Sequence, residues 1–534
     1  MSLSRRDFAS ATVLGLAGLG RAPWVARRRD HDIVIRGGTV IDGSGAAAIR
    51  ADVAITGDRI VAVAPVIAER GTREVDARDR VVAPGFIDIH SHADGSLEED
   101  PRLESVVRQG ITTAVVGADG GSRSDLAEFF ARVDALGPGA NIASMVGLGM
   151  VRGVEIGSMR RPATPSQVTA MTERVAAALA AGACGASSGL EYTPGGFADT
   201  AELTALCRPL AGTGLSYATH MRNEDDRVLE AIDEAIAVAR GAGCALQVSH
   251  LKMQGPRNWA KLDDAFARIE AARRGGLDIA FDRYPYIAYS TGLTSLFPIW
   301  SRDGGMPAML RRIDDPTDGP RVKADVLAKV ELIGGWDNVQ VTSVSGRGDR
   351  GVEGQRLGSY AAQQGADPYE FTVGLFRRNG GGIGMVGFAM SEENLDRLYA
   401  HPLGMVCSDG GAFAIDGPTR RGTPHPRGIG SFPRVLARFV RERRAITLEQ
   451  AIHKMTLQPA RRCRLPGRGM VRVGGVADLV VLDPATVADR ATFADPYQYP
   501  TGIHAVLVNG RVALDERGER GAGAGRAVRA GSDG

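Results

Sequence analysis

The sequence predicts a (β/α)8 barrel that carries a small β-sandwich built from both ends of the chain. Three observations lead there. Eight apolar or β-branched runs of strand length occur at 86–90, 112–117, 142–148, 182–188, 215–219, 245–249, 277–281 and 404–408. Amphipathic helical stretches such as 225–240 and 262–274 separate most of them, the alternation expected of parallel βα units. One run ends in His90 and three others are followed directly by His220, His250 or Asp409, where a barrel of this kind collects its functional groups. Near both termini the texture changes to the period-two alternation of an antiparallel sheet.

Taken in order, the chain opens with Ser4-Arg5-Arg6-Asp7-Phe8 and a mild apolar run over 9–20. Residues 1–26 read as a twin-arginine signal, with an apolar stretch too short to span a bilayer. That predicts handling by the twin-arginine export machinery, a periplasmic or extracellular destination, and no stable membrane insertion after processing. Residues 31–82 alternate, as in Asp32-Ile33-Val34-Ile35-Arg36, between Gly-rich turns. The same texture returns over 466–513, where Asn509-Gly510 is a hairpin signal, so the two stretches are expected to form one sandwich. The barrel occupies 83–465. The gap between its last two strands is much longer than the others and predicts an insertion over 285–350, rich in Gly and charge, placed to cover a substrate. Residues 514–534 are Gly, Arg and Ala-rich and are expected to be disordered.

Composition narrows the function classes. With 44% hydrophobic residues in 534, the chain can bury a large core. Lys+Arg 64 against Asp+Glu 62, and 5% aromatics without an interleaved basic patch, point away from nucleic acid. Five cysteines, Cys184, Cys207, Cys244, Cys407 and Cys463, are scattered, odd in number and without paired ligand spacing, so no disulfide framework is expected.

The chemistry is concentrated in five residues. Pro84-Gly85-Phe86-Ile87-Asp88-Ile89-His90-Ser91-His92 is an apolar run ending in His-x-His. His220, His250 and Asp409 close three further strand-like runs. A barrel brings all of them to one mouth, and four imidazoles with a carboxylate form a site for zinc or a similar ion. The other five histidines lack this placement and read as structural or surface residues.

Longer motifs carry a family resemblance: Ser187-Ser188-Gly189-Leu190-Glu191-Tyr192, Thr219-His220-Met221-Arg222-Asn223-Glu224, Ser249-His250-Leu251-Lys252, Tyr284-Pro285-Tyr286 and Ser408-Asp409-Gly410. With the His-x-His run, they make the chain resemble the D-aminoacylase (N-acyl-D-amino-acid deacylase) branch of the amidohydrolase superfamily over about residues 31–513. The resemblance implies His220 and His250 as the tight zinc ligands, His90 and His92 lining a second, weaker position, and Asp409 as the catalytic base. It also implies that Lys252 and Tyr192 hold the carboxylate of an N-acyl amino acid, with Arg222 and Tyr284 as neighbours. Preference for the D-enantiomer comes from the resemblance alone. One departure stands out: where the family has a Cys ligand after strand two, this chain has Asp119 in Val116-Gly117-Ala118-Asp119-Gly120. A carboxylate also ligates zinc, at about 2.0–2.2 Å. Being harder than a thiolate, it would shift preference toward Mn, Co or Fe.

Two other readings stay beside this one. The first is a ring-opening hydrolase of the dihydroorotase or hydantoinase kind, or a dipeptidase. The carbamylated lysine of the hydantoinase-like relatives has no counterpart on strand four here. The second is a metal-free, nonenzymatic barrel, against which stands the retention of all four histidines and Asp409.

Overall fold

A computed structural model describes residues 31–521 and 523–531; the export signal expected at 1–26 lies outside the described residues. Eight parallel strands form the barrel: Phe86–Asp88, Ile111–Val116, Asn141–Ser144 (resumed at Val146–Gly147), Gly185–Gly189, Ser216–His220, Ala245–Val248, Ile279–Arg283 and Gly404–Val406. Each pairs with the next. The eighth returns to the first where Asp409 N–H donates to the His90 carbonyl at 2.8 Å and His92 N–H to that of Gly410 at 2.9 Å. These closing bonds fall at the site residues themselves, so ring closure and the position of Asp409 are one event.

The helices follow from local sequence. Val228–Ala242 turns Val228, Ala231, Ile232, Ala235, Val238, Ala239 and Ala242 inward at helical spacing and stops at Gly243, whose φ is +71°. Pro165–Ala180 begins with a capping box in which Thr164 and Gln167 satisfy each other's backbone N–H. Burying one side chain such as Ile232 against the barrel contributes about 1.5–3 kcal/mol.

The two termini meet in one sheet of eight strands. Leu479–Leu482 lies antiparallel to Val81–Pro84 and to Ile503–Val508, and Ile503–Val508 turns through Asn509 (φ +49°) and Gly510 (φ +74°) into Arg511–Leu514. The sheet is mixed, because His31–Val40 pairs in parallel with Gly71–Asp76 and Val81–Pro84.

Two expectations need correction. The insertion does not stop near 350: its strands Ala288–Gly292 and Val339–Val344 both pair with Ile383–Phe388, so the unit is complete only at Phe388. The described part of the tail, 514–521 and 523–531, packs against the barrel instead of standing free. Ala527 bridges to Ile142 beside the third barrel strand, Val528 is buried in a core cluster, and Ala530 N–H donates to Gly182. Its glycines reflect close packing rather than freedom: a Cβ on Gly523 or Gly525 would lie 1.8 or 2.1 Å from the carbonyl oxygen of Gly137 or Ala140.

Candidate metal centre

All five site strands deliver their residues at or just past the strand ends, His220 as the last residue of its own. Asp119, His250 and Asp409 sit with φ of +52°, +35° and +51°, a region that non-glycine residues avoid unless the surroundings impose it. For His250 the cause is visible: its N–H is held at 2.8 Å by Asp282 Oδ1, which also lies 3.5 Å from His90 Nδ1.

His90, Asp119, His250 and Asp409 each offer a donor atom within 4.8 Å of the others; His220, Glu224 and His250 form a second such group. His250 belongs to both. Asp119 Oδ1 is 3.4 Å from His90 Nε2 and 3.5 Å from His250 Nε2, while its Oδ2 is 3.5 Å from His92 Nε2. His220 Nδ1 lies 3.0 Å from His250 Nε2. The fit to a divalent cation can be tested on these atoms. His90 Nε2 and Asp119 Oδ1 are buried and make no hydrogen bond, a costly condition that a shared cation would relieve. Imidazole and carboxylate donors suit zinc and its neighbours, and with its Nδ1 held between Glu224 Oε1 at 3.1 Å and Lys252 Nζ at 2.8 Å, His250 keeps Nε2 directed into the cluster. The residues fit the group.

The field of the site favours positive charge. Burial alone would lower His90, but the carboxylates of Asp119 and Asp409 hold it well above the usual imidazole value. His92 behaves likewise and is pushed up to about 9. Burial would raise Asp409, yet Arg427, His90 and His250 hold it below the normal carboxylate range.

Asp409 is gripped on both sides: Oδ2 accepts from Arg427 at 2.7 Å and Oδ1 faces His92 Nε2 at 3.2 Å. The predicted substrate residues divide. Tyr192 lines the cavity, its ring 4.7 Å from that of His220. Tyr284 lines it too, with a buried hydroxyl that has no partner and a ring between Arg283 and Arg427 at 4.1 and 4.8 Å. Lys252 reaches the cavity wall but is not a free ammonium, since Glu224 binds it at 2.6 and 2.7 Å. Arg222 is not brought to the site. It pairs with Glu234 and the carbonyls of Gly196 and Ala198.

Sequence reasoning assigned no role to Arg427, Glu224 or Asp282. Glu224 lay inside a motif already singled out, three residues past Met221. Arg427 lay on no strand and carried no local signal.

The cavity around these groups measures about 690 Å³, and a second lobe of about 490 Å³ opens beside it. His92, Asp409 and Arg427 line both lobes.

A barrel that gathers cation donors around a firmly held carboxylate at one mouth is built as a metal-dependent hydrolase. The wider comparison agrees with that class. The chain belongs to the amidohydrolase family, whose model matches residues 73–514. It is 40% identical to an N-acyl-D-glutamate deacylase of Alcaligenes xylosoxydans xylosoxydans, over 90% of this chain and 93% of that one. A D-aminoacylase of the same organism is 34% identical, over 93% and 97%. Among solved structures, an N-acyl-D-glutamate deacylase from Bordetella bronchiseptica, complexed with zinc and a phosphonate mimic of the tetrahedral intermediate, superposes with a TM-score of 0.79. It is 36% identical and covers 94% of this chain and 100% of its own.

Proposed function

We propose that the protein is a zinc-dependent deacylase that hydrolyses the amide bond of N-acyl-D-amino acids to a carboxylate and a free D-amino acid. The observation that carries the reading is Asp409, fixed by Arg427 and His92 beside the orphaned donors of His90 and Asp119. The relatives' activities and the zinc of the Bordetella enzyme support it.

A divalent ion bound by these donors supplies Lewis acidity to a carbonyl and to water. The chain's own groups do the rest. Asp409 Oδ1 takes the proton of the attacking water and passes it to the departing nitrogen. Arg427 keeps the other oxygen occupied, so the base presents one face. His92, half-exposed and pointing into the cavity, donates to the developing oxyanion. The amino-acid part of the substrate lies in the larger lobe, where Arg123, Tyr192 and Tyr284 offer charge and donors suited to a carboxylate. Asp119 makes the donor set harder than a thiolate would, so manganese, cobalt or iron can replace zinc.

The test is release of free amino acid from N-acetyl-D- and N-acetyl-L-glutamate, with elemental analysis of the purified protein. D-selective release with bound metal supports the assignment. A metal-loaded protein inactive on linear N-acyl amino acids, but active on cyclic amides or dipeptides, would replace it. We also propose export through the twin-arginine route, on the strength of Arg5-Arg6 and the short apolar run behind them. Cell fractionation of the wild type against an Arg5→Lys/Arg6→Lys pair tests that.

A further inference from the structure

The cavity has two lobes, and an amino acid accounts for only one. Resting on the deacylase reading, we propose that the second lobe is an acyl-group subsite built for neutral acyl chains substantially longer than acetyl. Three observations carry this. First, His92, Asp409 and Arg427 line both lobes, so a scissile bond presented to Asp409 sends its two substituents in different directions. Second, the lobes differ in chemistry. The larger holds Arg123 and the partnerless hydroxyl of Tyr284 besides the shared Arg427, which suit the carboxylate half of the substrate, while its Lys252 and Lys329 are already paired with Glu224 and Asp225. The second is lined by the hydroxyls of Ser290, Thr342, Ser343 and Ser345 with Val344, Phe413, Pro424 and His425. Among the described residues its one cation besides Arg427 is Arg421, which is paired with Glu99 outside the lobe. Its only carboxylate among the described residues is the shared Asp409, so nothing there pairs with an ammonium, which disfavours an aminoacyl occupant.

Third, size. A lobe of about 490 Å³ far exceeds what an acetyl methyl needs. A methyl is comparable to one water, whose share of liquid is about 30 Å³. A chain of about six carbons fills well under half of it by the same measure. The walls are not accidental to the barrel. Ser290, Val344 and Gly384 come from the three strands of the insertion, which lean over the eighth-strand loop that carries Phe413 and Pro424. The insertion thus supplies acyl recognition while the barrel supplies the chemistry.

The experiment compares kcat/KM for N-acetyl-, N-butyryl- and N-hexanoyl-D-glutamate, in the wild type and in Ser343→Phe and Val344→Trp, which place bulk in the lobe from two neighbouring positions. Each methylene that meets an apolar wall raises kcat/KM by up to about fourfold. The four added by hexanoyl, with half the wall hydroxylic, are expected to favour it over acetyl by at least about tenfold. Both variants should pull that hexanoyl-to-acetyl ratio down by at least tenfold; damage to folding or metal loading would lower both rates and leave the ratio where it was. Wild-type preference for acetyl, or an unchanged ratio in whichever variant folds, overturns the subsite and leaves the deacylase assignment standing. Failure of the wild type on all three substrates overturns both.

Discussion

Replacing Glu224 by Gln removes one half of an ion pair that has almost no access to water. The side chains of Lys252 and Glu224 are 3% and 1% exposed, and the ammonium lies 2.6 Å from the nearer carboxylate oxygen. Solvent screening is therefore minor, and burial, which would raise Glu224, is outweighed chiefly by Lys252. Removing one partner of such a pair costs about 3–5 kcal/mol, because the other charge stays buried and uncompensated. For a chain this long that lowers the thermal midpoint by about 3–5 °C. Deleting both charges, in Glu224→Gln/Lys252→Met, should recover at least half of the loss, a coupling of about 2–3 kcal/mol. Metal retention should not recover. Glu224 Oε1 orients the His250 ring at 3.1 Å, and losing such a partner costs about 10–100-fold in affinity. The assay is thermal denaturation of all four proteins of the cycle after chelation, with metal affinity measured separately. If the double variant is as unstable as the sum of the single ones, or if metal affinity returns with stability, the pairing has been misread.

Three further outcomes are expected. Asp409→Ala should reduce turnover by at least about 10³-fold, within the range that general-base loss produces, while fold and metal content persist; retained activity would remove Asp409 from the mechanism. Asp119→Ala should lower metal occupancy in elemental analysis, since its Oδ1 faces both His90 and His250; full occupancy would exclude it as a ligand. Burial lowers Lys454 to about 8 from its ordinary 10.5. Between those values the unfolded chain binds more protons than the folded one, so this lysine's contribution to stability rises with pH, by up to about 3 kcal/mol. The difference in stability between wild type and Lys454→Met should therefore shift in the wild type's favour from pH 7.5 to 10; a difference independent of pH would refute the assignment.

The barrel was legible because its signals are local. Most strands announce themselves by a short apolar run, and the residues read as metal ligands or base lie within four positions of a strand end, as His220, His92 and Asp409 do. What the sequence hid depends on pairings across distance. Lys252 looked free because its partner Glu224 lies 28 residues away on another strand's loop. Arg222, inside a telling motif, faces away from the cavity because Glu234 on the following helix holds it. Arg427 reaches Asp409 from the first turn of helix Arg427–Arg434, where no periodicity marks it. The insertion was cut short because its closing strand, Ile383–Phe388, returns after two intervening helices. The tail was misjudged because glycine-rich composition reads the same whether it permits disorder or intimate contact.

That tail has a consequence for how the chain is made. Arg526 N–H bonds the Asn141 side chain across 385 residues, and Ala527 N–H reaches Asp134 across 393. The third strand's outer contacts thus wait on residues 526 and 527. Domains usually fold as they emerge from the ribosome, but this one can mature only once residues beyond 520 have emerged, and closing loops of that length is slow. A truncation or ribosomal stall near residue 520 should therefore yield an unfinished barrel with an open flank, a species for chaperones rather than a smaller working enzyme.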